Sequence, residues 1–494
     1  MTWWREGVLY QIYPRSFADS NGDGIGDLRG IAARLDYLEW LGVDGIWLNP
    51  IHPSPNVDWG YDVADYMGVH PDLGTLDDLD ALVAEAARRG IRLLLDLVPN
   101  HTSDRNPWFR ERPDFYVWSK EIPNNWRAAF GGGPARTWDE ERRAYYLHNF
   151  APQQPDLDWW NEDVRDEFDR ILRFWFDRGV AGFRIDVAHA LIKDRELRDD
   201  VLDPEARGGV HRIHSMNRPE THEIFGRWRR LADRNEPSRI LVGEVYVLEV
   251  AEWARYYGSG TDELNLAFNF ALVHSDLDAA KMREIVAATE AALPSEAWPC
   301  WTGSNHDAMR FTTRWCGGDE ALARCALLIL LTLRGTPFLY YGDELALPNG
   351  RVPKERLLDV AAPPRDPGRT PMPWTPGDGG WSDPWLPLEE ASRNVADQRD
   401  DPRSTLHFTR ELIALRRSSE DLRLGAYVGL AAPEGVWAWR RGERTAVAVN
   451  LGRRTAAVEG LEGRVVLGTR REREGEIVSG PLRLEPAEGY VVAV

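Results

Sequence analysis

The chain has 494 residues, 43% of them hydrophobic, and a formal net charge of -19 at pH 7. That length supports roughly two to three domains around well-buried cores, and the composition excludes a disordered chain. The acidic balance disfavours nucleic acid and anionic membranes, which would be repelled over most of the surface, and favours a small neutral partner.

The opening MTWWREGVLYQIY lacks a basic segment followed by a long apolar leader. No stretch supplies the roughly 18 uncharged apolar residues of a membrane span; ALLILLTL at 326–333 is short and flanked by Arg324 and Arg334. A cytoplasmic location is the expectation. Short β-branched runs then alternate with amphipathic helical stretches, the pattern of βα units. Strands are predicted at 7–13, 43–48, 92–98, 182–187, 240–246, 265–271, 300–305 and 337–342. Helices are predicted at 29–41, 76–89, 162–178, 219–234, 278–292, 319–334 and 403–417, with a shorter one near 248–257. Gly90 and Gly179 suit the left-handed position after a helix end. Eight such strands close a barrel.

About 60 residues between the third strand and the next helix (101–160) are rich in Pro, Asn, Trp and Gly, and a loop that long in a compact protein is normally functional. A second long insertion, 344–400, follows the eighth strand, and from about 421 short alternating strands take over with no convincing helix. The expected architecture is α/β: a (β/α)8 TIM barrel from 1–101 and 159–420, an inserted subdomain at 102–158, and a C-terminal antiparallel β-sandwich at 421–494.

Cys300, Cys316 and Cys325 are an odd set without metal-ligand spacing and read as reduced, buried thiols. The 22 tryptophans gather near polar segments, among them Trp3, Trp4, Trp59, Trp108, Trp126, Trp138, Trp159 and Trp160. Some serve the core; flat apolar rings with a hydrogen-bonding edge also suit the faces of sugars. Near the N-terminus, DSNGDGIGD places Asp19, Asn21, Asp23 and Asp27 at alternating positions with Ile25 offering a carbonyl. It begins like a calcium loop but has Gly30 where a bidentate Glu closes an EF-hand. A structural Ca2+ or Mg2+, or a turn held by Asx hydrogen bonds, are the two readings.

Several strands end in ionisable residues: Asp96, Asn100 and His101 in DLVPNH, Arg184 and Asp186 in GFRIDVAHA, Glu244 in GEVY, His306 and Asp307 in SNHD. Singly, Asp186 could cap a helix, Glu244 could pair with an arginine, and His306 could be a satisfied core histidine. Jointly they converge on the C-terminal rim of one barrel, where barrel enzymes place their chemistry.

These four segments resemble the signature segments of the α-amylase family, glycoside hydrolase family 13. The resemblance extends to GVLYQIYPRSF, GYDVADY, QPDLDWWN and RTPMPW, covering residues 3–400 in order, and within the family it is similar to the α-glucosidase and oligo-1,6-glucosidase branch. It implies Asp186 as nucleophile, Glu244 as general acid/base and Asp307 as the third carboxylate, which holds the sugar hydroxyls. It further implies His101 and His306 as sugar hydrogen-bond partners, Tyr61 as a stacking platform and Asp62 as a ligand for distal hydroxyls. Arg369 is expected to pair with Asp62 and close the pocket, giving exo action. An ion in the Asp19–Asp27 loop is also implied, and no organic cofactor. Retaining hydrolysis needs two carboxyls about 5–5.5 Å apart, one ionised and one protonated. Arg184, two residues before Asp186, is expected to keep the nucleophile ionised.

The expected activity is therefore hydrolysis of short α-glucosides, with transfer to good acceptors. A sucrose- or trehalose-converting transferase or isomerase on the same scaffold shares the glycosyl-enzyme intermediate. A transporter-associated heavy chain would need a membrane anchor and tolerate loss of the acids, whereas this chain keeps all three. Val187, after the nucleophile, accompanies 1,6 preference in related glucosidases, but AHALIKD departs from their usual continuation, so linkage stays open.

Overall fold

The computed structural model describes residues 3–203, 210–388 and 392–494; residues 389–391, inside the second insertion, lie outside the described residues. Eight parallel strands form the barrel: β1 (Leu9–Ile12), β2 (Gly45–Leu48), β3 (Arg92–Leu97), β4 (Gly182–Ile185), β5 (Ile240–Gly243), β6 (Leu266–Ala267), β7 (Cys300–Thr302) and β8 (Thr336–Tyr340). Each pairs with its neighbour in sequence, and β1 pairs with β8. The ring closes between β6 and β7 through the bridge of Phe268 to Cys300. The strands are buried on both faces, inward by the barrel core and outward by helices, which is why they read as nearly continuous apolar runs.

The helices used below are α1 (Leu28–Ala33), α2 (Leu35–Leu41), α3 (Leu76–Arg88), α4 (Glu162–Asp177), α5 (Thr221–Ala232), α6 (Val250–Ala254), α7 (Ala279–Ala292), α8 (Glu320–Thr332) and α9 (Thr405–Ser418). Local chemistry sets their ends. Thr75 and Asp78 form a reciprocal capping box at the start of α3, and Gly90 and Gly179 take left-handed φ of 76° and 89° just past α3 and α4. Two expectations are corrected. The helix at 29–41 is broken at Arg34 (φ -110°, ψ 9°), whose guanidinium lies 4.2 Å from the Trp374 ring centroid. The sixth strand stops at Ala267, because Asn269 caps a one-turn helix at Phe270–Val273 by accepting from the Leu272 amide.

The insertion after β3 builds a three-stranded antiparallel sheet from Trp118–Ser119, Arg136–Asp139 and Ala144–Leu147 around Trp126, Ala135 and Leu147. It is tied to the chain beyond β4 by the Asn125 amide on Asp199 (2.8 Å) and the Trp126 indole on the Arg198 carbonyl (2.9 Å). The subdomain therefore overhangs the end of β4, at the barrel mouth.

After a helical turn at Glu420–Leu424, the chain forms a six-stranded antiparallel sheet. Trp437, Trp439, Val447, Val449 and Val491 on one face join the barrel core. Ala438, Val465 and Val492 on the other pack with Val458, Leu482 and Leu484 of a small second sheet. Covered by barrel and sheet alike, α8 is apolar on every side from Cys325 onward, which accounts for ALLILLTL. Among the described residues, no helix is long and apolar enough to cross a membrane. The tryptophans are largely structural: Trp47, Trp159, Trp175, Trp228, Trp253, Trp301, Trp437 and Trp439 are fully buried.

Candidate active site

Arg184 on β4 points into the barrel mouth beneath the strand ends. Its Nη1 donates to Asp96 at 2.8 Å and to Asp186 at 2.8 Å, and its Nη2 donates to Glu244 at 2.6 Å. The Trp47 ring, 5.1 Å from the guanidinium carbon, packs against this group. The residue two before the nucleophile position thus binds acids from β3, β4 and β5 together. Asp96 also accepts from the Tyr61 hydroxyl (2.9 Å) and the Trp47 indole (3.2 Å).

Glu244 stands on the other side of Arg184. Both its donors, Arg184 Nη2 and the Val187 amide (3.0 Å), engage the same oxygen, Oε2. Val187 itself lies at φ 42°, ψ 44°, a left-handed conformation that a β-branched residue adopts only when its surroundings impose it. Its side chain packs against Ala190, Met216 and Phe150.

Asp307 faces this pair from the loop after β7. The Asn305 side chain accepts from the Asp307 and Ala308 amides (2.8 and 2.7 Å), an Asx turn that sets the loop. Asp307 Oδ2 lies 3.2 Å from His306 Nε2, and Oδ1 accepts from Arg365 (2.7 Å) and Arg369 (3.2 Å). His306 is held between Gln11 (2.9 Å) and the Tyr61 hydroxyl (2.5 Å), with its ring stacked on Tyr61 at 5.2 Å. His101 touches the Tyr61 carbonyl and Gln154, each at 3.1 Å.

The electrostatics divide these acids. Burial pushes the Asp96 carboxyl up to about 7, against the pull of Arg184. Burial also drives Asp186 well above the carboxylate range; Arg184 opposes it, while Glu244 and Asp96 add to it. Arg184 pulls Asp186 toward ionisation, the expected direction, but its single charge is divided among three acids. Burial raises Asp307 too, but His306, Arg365 and Arg369 outweigh it and hold this carboxyl below its ordinary value. Burial lowers both His101 and His306, against the opposing pull of Asp156 on the first and Asp307 on the second.

One correction concerns Arg369 and Asp62. They do not pair: Arg369 donates to the His306 carbonyl (2.8 Å) and to Asp307. Asp62 is fully buried and accepts from Ser54 (2.7 Å) and the amides of Val57 and Asp58 (both 3.0 Å), so it shapes the loop after β2. The wall is closed instead by Arg365, which bridges Asp58 (2.6 Å), Asp307 and Asp359 (2.6 Å). Sequence reasoning missed Arg365, Asp58, Asp359 and Gln154. Two signals were available: a second arginine four residues before Arg369 in the segment holding RTPMPW, and the place of Gln154 at the head of QPDLDWWN.

The Asp19–Asp27 loop lies apart from these acids in the chain and is laced by its own amides. Asp19 accepts from Asn21, Gly22 and Gly24, Asp23 from Ile25, and Asp27 from Ser20 and Gly30. Among the described residues, no group of three or more His, Cys, Asp or Glu side chains could hold a metal ion.

Comparison with known proteins gives a consistent picture. Residues 11–425 match the family model described as alpha amylase, catalytic domain. The chain is 42% identical over 465 residues to a probable alpha-glucosidase of Rhizobium meliloti, covering 86% of this chain and 84% of that protein. It is 36% identical to an oligo-1,6-glucosidase of Parageobacillus thermoglucosidasius, covering 86% and 85%. The solved structure of an alpha-glucosyl transfer enzyme superimposes with a TM-score of 0.93 at 37% identity, covering 100% of this chain and 99% of that one.

Proposed function

Because the chain belongs to the alpha-amylase family and is a glycoside hydrolase, we propose that it is a retaining, exo-acting α-glucosidase. It removes terminal non-reducing α-glucosyl residues from short oligosaccharides or glucosides, through a covalent glucosyl-enzyme intermediate. The observation that carries this reading is the pair of acids bound to one guanidinium, Asp186 and Glu244 on Arg184, facing Asp307 across the mouth.

In the proposed mechanism Asp186 attacks the anomeric carbon as Glu244 protonates the leaving oxygen. Both donors to Glu244 sit on Oε2, so Oε1 carries that proton toward the glycosidic oxygen. The acid then becomes a base and activates water, which releases glucose, or an acceptor hydroxyl, which carries the glucosyl group away as a new glucoside. Asp307, His306 and His101 receive the sugar hydroxyls, and Tyr61 lies beneath the ring. Arg184 follows the charge: as Asp186 is consumed in the ester, Glu244 becomes the carboxylate left for the guanidinium to stabilise.

A structural divalent cation in the Asp19–Asp27 loop is part of the proposal. It is supported by the alternation of Asp19, Asn21, Asp23 and Asp27 with the Ile25 carbonyl, and by the solvent exposure of Asn21 and Asp23. Such an ion would add stability and take no part in the chemistry; calcium should raise the melting temperature and chelator should lower it. We assign the enzyme to the cytoplasm, supported by the free thiols of Cys300, Cys316 and Cys325.

Product analysis on maltose, isomaltose, sucrose and trehalose tests the function. Free glucose as the main product is expected. Rearranged disaccharide with little glucose would sink the hydrolase reading in favour of a converting enzyme on the same scaffold. Asp186→Asn should abolish turnover while leaving the circular dichroism spectrum unchanged.

A further inference from the structure

A run of buried polar side chains beneath the mouth forms hydrogen bonds whose direction is set by the fixed donors at one end. The Trp47 indole and the Arg184 guanidinium have only protons to give, and they engage the two oxygens of Asp96 at 3.2 and 2.8 Å. With Asp96 ionised, Oδ2 also takes the single proton of the Tyr61 hydroxyl at 2.9 Å. The Tyr61 oxygen then only accepts, as the approach of Arg184 Nη1 at 3.3 Å also requires. Asn49, at the end of β2 and 2.9 Å away, must therefore turn its amide nitrogen to Tyr61 and its oxygen to Gln11 on β1. Gln11 meets that oxygen with its own amide nitrogen at 2.8 Å, and the second hydrogen of this nitrogen faces His306 Nδ1 at 2.9 Å.

Two N–H groups cannot share one hydrogen bond, so Nδ1 holds a lone pair and His306 carries its one proton on Nε2. The ring is held against turning over, stacked on Tyr61 at 5.2 Å and 6° and meeting the Trp47 ring edge-on at 6.0 Å. Its Nε2 lies 2.5 Å from the Tyr61 oxygen and 3.2 Å from Asp307 Oδ2. A sugar hydroxyl has one proton to give. Set between Nε2 and Oδ2, it accepts from the ring and donates to the carboxylate. With the ring proton on Nδ1 instead, histidine and carboxylate would compete for that single proton, and one of the two bonds would be lost.

We propose that Gln11 is a positioning residue of the reaction: by keeping the proton of His306 on Nε2, it gives the donor pocket one direction of hydrogen bonding, from His306 through a sugar hydroxyl to Asp307. Its effect on rate rests on the α-glucosidase reading; the tautomer does not. Gln11 touches no sugar in this arrangement and acts only through the imidazole. A primary amide suits the task because one nitrogen supplies two protons, one for Asn49 and one for His306. Gln11, Asn49, Asp96 and His306 are all buried, so each bond in the run is made in a medium where leaving it unmade is costly.

Nitrogen-15 histidine labelling reads the tautomer directly by long-range proton–nitrogen correlation, at about pH 8 so that Asp96, which burial takes up to about 7, is ionised. The His306 signals are those missing from His306→Gln. Nδ1 is expected in the range of an unprotonated ring nitrogen and Nε2 in that of a protonated one. In Gln11→Glu, a carboxylate facing Nδ1 should draw a proton there and move its signal into the protonated range. Gln11→Met, which removes the donor without adding charge, should lower kcat/KM on α-glucosyl fluoride by about 10–10²-fold, the scale of losing the partner that orients a working histidine. In a His306→Gln background it should cost less than about threefold, because the group it acts through is gone. A His306 proton on Nδ1 in the unmodified enzyme would overturn the proposal, and so would an equal fold-loss in both backgrounds. Should Gln11→Met not fold, Gln11→Glu runs the same cycle. Absence of turnover by the unmodified enzyme on every α-glucoside would instead defeat the functional reading, with the spectrum alone deciding the tautomer.

Discussion

Asp343 and Glu344, in YYGDE at the end of β8, are buried carboxyls that the proposed chemistry does not use. Asp343 accepts from the Tyr340 amide at 2.9 Å and Glu344 accepts from the hydroxyls of Tyr10 (2.6 Å) and Tyr37 (2.8 Å), while one oxygen of each has no partner. Burial pushes Asp343 up to about 7. A folded pKa above the unfolded value means that its contribution to stability is fully present below about pH 4 and is lost as pH rises through about 7. Asp343→Asn should therefore gain stability on the wild type across that window, at up to about 1.4 kcal/mol per pH unit. Urea unfolding at several pH values checks this, and a constant difference between the two proteins would count against it. At this scale the sequence announced acids at strand ends but not their tasks. Asp186, Glu244 and Asp307 are legible because each follows an apolar run. Arg365 is not, because its partners lie as far as 307 positions away in the chain and nothing periodic marks them.

Among the elements, α8 depends on neighbours for its last turn. Arg416 on α9 donates to the carbonyls of Leu331 (3.1 Å) and Leu333 (3.2 Å) and to that of Gly335, and Arg441 from the C-terminal sheet donates to the Thr332 carbonyl. Two buried guanidinium groups thus serve the carbonyl end of a helix, where cations suit the dipole and the orphan acceptors alike. Arg416→Met should remove on the order of 3 kcal/mol of stability by leaving those acceptors dry. Its kcat and KM on an aryl α-glucoside should stay within twofold of the wild type, since α8 ends at the barrel face opposite the acids. The regular elements were readable because barrel strands and their helices differ in period. The breaks at Arg34 and Asn269 were not, since each is a side chain reaching a partner that local pattern does not specify.

For the molecule as a whole, barrel and C-terminal sheet share one core: Trp437, Trp439 and Val491 pack in the same cluster as Leu327, Leu328 and Leu331 of α8. Heating should give a single calorimetric transition in which the sheet and barrel melt together. Two resolved transitions would show that the sheet is an independent unit. The change of pattern near 421 showed that a different architecture begins there, but not that it completes the barrel's outer layer, because a sheet's packing partner is set by tertiary structure.

The mouth of the barrel also has a charge inventory. Three guanidinium groups, Arg184, Arg365 and Arg369, are shared among six carboxylates, Asp96, Asp186, Glu244, Asp307, Asp58 and Asp359. With all six ionised the enclosure carries three negative charges in excess, and each proton kept by Asp96 or Asp186 removes one, so the excess that a neutral sugar leaves uncompensated grows as pH rises. A small polyhydroxylated ammonium ion supplies both the hydroxyls and the missing positive charge. Such amines should compete with substrate, more strongly as pH rises from the acid side and the acids ionise, and fade above the amine's own pKa. The choice of buffer is thus itself a probe of this enclosure: Tris should depress the apparent rate where a phosphate buffer of equal pH and ionic strength does not.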